Sequence, residues 1–149
     1  MNRPRIWYVV ADGGRARIVQ KRDRQEAFDT LQEMVSADIH RATYDLGSER
    51  PGRVRESSAS ARHAVQPRQD LHRAEKQNFA HEVAARLNAA NTRDEFDALV
   101  LVAPAHALAD LRQALDEPTQ RKITAQLQKD LTKVPNADLA AHLADVSSA

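Results

Sequence analysis

Residues 6–21 read IWYVVADGGRARIVQK, and the position of one turn inside them decides the class of fold. Ile6–Ala11 is β-branched and aromatic and apolar on both faces, the pattern of a central strand covered from above and below. Asp12-Gly13-Gly14 is a turn signal, and Arg15–Lys21 behind it alternates with period two. The spacing predicts a hairpin. Outward from it, Arg22–Glu26 is polar, and Phe28–Val35 can form a third strand. From Leu71 the period lengthens. Phe79, Val83 and Leu87 stand four apart, and Ala80, Ala84 and Ala90 widen their stripe into an amphipathic helix ending near Asn91. Asp70 is placed to cap that helix, and Glu82 with Arg86 makes a favourable pair four residues apart.

Phe96–Ala103 (FDALVLVA) reads as a second buried strand. Pro104 then fits the first turn of a helix whose core face is Leu108, Leu111 and Leu115. Ile123–Leu131 fits the alternation of a strand and the spacing of a helix equally well. Pro135-Asn136 opens a last helix with Leu139, Leu143 and Val146 on one face. The order β-β-β-loop-α-β-α-β-α describes one α/β domain over residues 1–149, with the two doubly apolar strands central and helices on both faces. A right-handed crossover makes the third strand parallel to Phe96–Ala103.

Bulk composition narrows function mostly by exclusion. The formal charge of +1 on 149 residues supplies no global field toward nucleic acid or membrane, so any such attraction needs local clustering. The chain has no cysteine, which removes disulfides and thiolate chemistry. The longest apolar run, Ala98–Ala105, is too short to span a bilayer, and the amino-terminal apolar stretch stops at Asp12. The expectation is a cytoplasmic protein without membrane insertion.

One segment resists the core-building logic. Glu49–Asp70 reads ERPGRVRESSASARHAVQPRQD: twenty-two residues with five arginines, three acids, and only Val54 and Val65 as aliphatic side chains larger than alanine. With so little to bury, it reads as a long basic loop, and loops of more than about 12–15 residues are usually functional or disordered. The topology brings this segment, the turn after the first strand and the start of the second helix to one sheet edge, at the carboxyl ends of parallel strands. Open α/β sheets bind ligands there. The edge gathers Arg15, Arg50, Arg53, Arg55, His106 and Lys133, so an anionic partner follows.

Sharper chemistries fail on spacing. Asp12 ends one strand while Asp97 begins its parallel neighbour, which holds them about 20 Å apart at roughly 3.3 Å per residue, too far to share a metal. The six histidines show no ligand spacing, and His81-Glu82 is followed by Ala85 where a zinc helix needs its second histidine. Asp12-Gly13-Gly14-Arg15 has neither dinucleotide nor phosphate-loop glycine spacing, and the Ser57–Ser60 cluster lacks a nucleophile elbow. No catalytic residue, metal or cofactor is expected.

The strings IWYVVADGGRARIV, ERPGRVRESSASARHAV, FDALVLVAP, LADLRQAL and QKDLTKVP, in this order over nearly the whole chain, resemble the bacterial host attachment protein family. That family is in turn similar to the middle domain of archaeal and eukaryotic class-one release factors and Pelota. The resemblance implies a three-layer ribonuclease-H-like domain, with a five-stranded mixed sheet in the order 3-2-1-4-5 and the second strand antiparallel. It also implies that Ile123–Leu131 holds the fifth strand. In those release factors the loop between the third strand and first helix carries the Gly-Gly-Gln tripeptide that promotes peptidyl-tRNA hydrolysis. Glu49–Asp70 occupies that position with one glycine, Gly52, and no Gly-Gly-Gln, so hydrolysis is not carried over.

What the resemblance leaves is a non-enzymatic RNA- or ribosome-associated module that uses Arg50, Gly52, Arg53 and Arg55, with Arg15 and His106 beside them. The family's name implies an alternative, an interaction protein for a protein or surface partner. A third expectation, from the sheet edge, is an enzyme acting on a phosphorylated or nucleotide ligand.

Overall fold

β1 (Ile6–Ala11) is the strand around which the sheet assembles. On one side it pairs antiparallel with β2 (Arg15–Lys21), Trp7 opposite Gln20 and Ala11 opposite Ala16. On the other it pairs in parallel with β4 (Ala98–Val102), Ile6 beside Ala98 and Val10 beside Val102. β3 (Phe28–Val35) continues the meander from β2, and β5 (Ile123–Leu127) lies parallel to β4. The order is β3-β2-β1-β4-β5, with β2 antiparallel to both neighbours. These coordinates are a computed structural model that describes residues 3–22, 27–37 and 51–147, except the side chains of residues 51–71, 145 and 147.

The alternation of β1 and β4 divides the core in two. Trp7, Val9, Ala11, Leu99 and Leu101 face one layer, where they meet Phe79, Val83 and Leu87 of α1 (Pro51–Thr92) and Leu111 of α2 (Ala105–Ala114). Tyr8, Val10, Val100 and Val102 face the other, against Phe28, Leu131, and Leu139 of α4 (Asn136–His142). Both strands are therefore apolar on both sides, as a sheet covered by helices on each face requires. Trp7 and Phe96 pack with ring centroids 4.9 Å apart, and Tyr8 meets Phe28 edge-on at 5.2 Å.

The fifth strand lies where the family resemblance puts it, shorter than the ambiguous run that contains it. α3 (Glu117–Gln120), a single turn between α2 and β5, is an addition to the expected elements. Asp116 caps it by accepting the Thr119 N–H at 3.0 Å, with Pro118 inside the first turn. The last helix is broken at Leu143 into α4 and α5 (Ala144–Ser147).

The larger correction concerns Glu49–Asp70. Read as a loop, it is helical from Pro51 onward, and α1 runs 42 residues instead of starting after Asp70. Burial reasoning missed this because helix formation does not require an apolar stripe. The segment holds five arginines, three alanines and two glutamines, which lose little on entering a helix, and a proline costs least in a first turn. Residues 38–50, including Arg50 and Tyr44, lie outside the described residues. At its other end α1 closes with Asp94 in the left-handed region, φ 58°. The Asp94 N–H donates to the Asn91 carbonyl at 2.9 Å and that of Glu95 to Ala90 at 3.0 Å, the paired bonds of a Schellman termination.

Candidate functional site

The sheet order reverses between β1 and β4, since β2 and β3 continue to one side of β1 and β5 to the other. At the carboxyl ends of these two strands the structure has a cavity of about 450 Å³. The β1–β2 turn contributes Asp12, Gly13 and Gly14; α1 contributes His72, Arg73, Glu75 and Lys76; the start of α2 contributes Pro104 to Ala107, and Asp110 follows one turn later. Its size and place suit a small-ligand site of an open α/β sheet.

Local bonding explains why the turn holds its shape. Asp12 Oδ1 accepts the backbone N–H groups of Gly14 at 2.8 Å and Arg15 at 2.7 Å, and Oδ2 accepts the Thr132 hydroxyl at 3.3 Å. The Ser36 N–H donates to the Gly14 carbonyl at 2.8 Å, tying the end of β3 to the same turn. Gly13 meets a different constraint. A Cβ there would stand 2.9 Å from Lys76 Cδ and 3.0 Å from Cγ, so the missing side chain leaves room for the lysine stem.

The opposite wall is an ion pair. Arg73 donates from Nη1 and Nη2 to the two oxygens of Asp110, both at 2.9 Å. The Asp110 side chain is 8 % exposed and the Arg73 side chain 41 %, so a nearly buried carboxylate is satisfied by a cation reaching in from the rim. The pair also ties α1 to α2. Arg17 plays a comparable part on the other face, donating to Asn136 Oδ1 at 3.0 Å and to the carbonyls of Thr132 and Val134.

Of the expected site residues, the structure brings one to this cavity. His106, exposed in the first turn of α2, lines it. Arg15 is exposed at the start of β2 but lines a separate recess of about 170 Å³ with Arg17, Glu33 and Thr132. Gly52, Arg53 and Arg55 lie in the first turns of α1 by their backbone, and their side chains lie outside the description, as Arg50 does entirely. Arg73, Lys76 and Asp110 escaped the sequence reading. The available signal was Asp110 beside Leu111 on a helix face otherwise apolar, which demands a partner cation without saying which.

Asp12 and Asp97 stand at opposite ends of the sheet, as strand direction requires. Asp97 accepts from Arg5 three times: its backbone N–H at 2.7 Å, Nε at 3.2 Å and Nη2 at 3.1 Å. The guanidinium bonds and the backbone bond hold the Asp97 carboxyl down at about 2. This staple joins the residue before β1 to the residue before β4. Among the described residues no group of three or more histidines and acids could hold a metal ion, and no helix is long and apolar enough to cross a membrane.

The family model described as "Protein required for attachment to host cells" matches residues 7–143. Among solved structures, the chain is similar to an archaeal translation termination factor, aRF1, at 10% identity and a TM-score of 0.51, covering 97% of this chain and 39% of that one. A second, titled only "Archaeal protein", gives 10% identity and a TM-score of 0.47 over 97% of this chain and 38% of that one. The chain thus spans about two fifths of the structures it matches. Nothing among the curated proteins matches the sequence.

Proposed function

The chain belongs to the family of proteins required for attachment to host cells, and we propose that within it this chain is a non-enzymatic, RNA- or ribosome-associated module acting in the cytoplasm. The observation that carries the proposal is the charge and position of Glu49–Asp70. Five arginines against three acids stand between the carboxyl end of β3 and the part of α1 that enters the core, which begins at Phe79. From Pro51 to Phe79 the helix covers about 40 Å at roughly 1.5 Å per residue. A basic helix of that length offers repeated cations to a phosphate backbone. The likeness to a translation termination factor supports the same direction, and Arg15 and His106, exposed near the carboxyl ends of β1 and β4, are further contacts. Arg50, Arg53 and Arg55 are the principal ones, with Gly52 allowing close approach.

Co-sedimentation with bacterial ribosomes and with total RNA over a salt series tests the proposal. Pelleting should weaken steeply with salt, and Arg50→Ala/Arg53→Ala/Arg55→Ala should lower the slope by about 2, at roughly 0.7 per lost phosphate contact on single-stranded RNA. Absence of pelleting even at low salt would overturn it. The family description favours a second reading, in which the same segment binds a protein or surface partner. A largely apolar interface of that kind would hold its affinity as salt rises.

A further inference from the structure

Among the described residues, the acids that line the switch-point cavity and Arg73 are engaged. Asp12 is occupied on both oxygens by the turn amides and Thr132. Asp110 and Arg73 neutralise each other, and Glu75 has a partner of its own. Lys76 differs. It lines the cavity, makes no ion pair or hydrogen bond with a described residue, and lies with its stem across Gly13, where only a missing side chain gives it room. The rest of the described wall is Pro104, Ala105 and Ala107, small and apolar, together with the polar Ser36, His72 and His106.

From this we propose that the cavity binds a small organic anion, its phosphate or carboxylate head on Lys76 and its apolar body against Pro104, Ala105 and Ala107. A volume of about 450 Å³ admits a nucleoside monophosphate or an aromatic acid and excludes a folded macromolecule. Lys76 carries the unpaired positive charge among the described lysines and arginines of the lining, so the head group decides whether binding occurs, and the apolar wall adds contact area. His106 is common to this site and to the proposed RNA contacts, but Arg53 and Arg55 stand about 25 Å or more along α1 from His72 at roughly 1.5 Å per residue, so Lys76→Gln and the arginine variant test the two proposals separately.

Amide NMR on the full chain, titrated separately with adenosine monophosphate, benzoate, adenosine and benzyl alcohol, provides the test. Saturable shifts at Gly13, Gly14 and Ala107 are expected with at least one of the two anions, and which anion responds identifies the head as phosphate or carboxylate. The uncharged analogues should give none. Lys76→Gln should weaken binding about tenfold or more, the scale of a hydrogen bond to a charged group, and Lys76→Arg should retain most of it. Gly13→Ala should also weaken it, because the new methyl displaces the lysine stem without removing its charge. Lys76 is exposed and Gly13 lies outside the left-handed region, so these variants should melt close to wild type. No saturable shift with either anion up to about 10 mM, equal shifts with the neutral analogues, or an unchanged affinity in Lys76→Gln would each overturn the proposal.

Discussion

Single residues in this protein act mainly as fasteners between distant parts of the chain. Arg5 and Asp97 join the starts of two parallel strands, and the carboxyl held at about 2 makes the contact pH-dependent. Because the folded value lies below the ordinary 3.8, the stabilisation is complete above that pH and is lost as the pH falls toward about 2. Thermal unfolding of wild type and Asp97→Asn should therefore differ at neutral pH, with the variant less stable, and the two curves should converge near pH 2. A difference that persists unchanged in acid would show that the carboxylate's charge is not what matters. The sequence places Asp97 at the amino end of its strand but is silent about Arg5, ninety-two residues away. Arg73 and Asp110 are hidden in the same way, because a salt bridge across helices leaves no periodic trace.

At the scale of elements, α1 sets packing against propensity. Its later half was readable from Phe79, Val83 and Leu87, which are buried at 2 %, 1 % and 0 % exposure. Its earlier half has no such stripe, and Pro67 stands within it. A proline there removes the N–H that would bond to the His63 carbonyl and crowds the preceding turn, at roughly 3 kcal/mol against alanine. Pro67→Ala should strengthen the far-UV helical signal while leaving the midpoint of the main unfolding transition nearly unchanged, since the core of α1 begins twelve residues later at Phe79. A weaker helical signal in the variant would contradict the helical assignment of this stretch. The strands were legible because doubly apolar runs bounded by turns have few alternatives. α3 was not, since one capped turn carries too little pattern to separate from a loop.

The whole molecule is held together by sharing strands between two cores. β1 sends Trp7 and Val9 to one face and Tyr8 and Val10 to the other, so neither layer can loosen without disturbing the same strand. Leu87→Ala on the α1 face and Leu139→Ala on the α4 face should each cost about 2–5 kcal/mol. Each should shift a single transition, seen at the same midpoint by Trp7 fluorescence and by far-UV signal. Separate midpoints in Leu139→Ala would mean that the two layers unfold independently. The near-neutral total charge belongs to this scale as well, because it leaves any attraction for anions to local groups.

The sequence by itself determined strands β1 to β4, the hairpin, and the core-facing part of the helix that covers β1 and β4. Those follow from alternation, from stripes four residues apart and from turn chemistry, all of which act between near neighbours in the chain. Strand order and the fifth strand came with the family resemblance, and the pairing in the structure agrees with both. Tertiary structure alone decided that Arg73 locks onto Asp110, that Lys76 crosses Gly13, that His106 enters the cavity and that Arg15 lies in a separate recess. Each of these depends on where two distant segments meet. That meeting is set by the packing of whole elements, and local pattern carries no record of it.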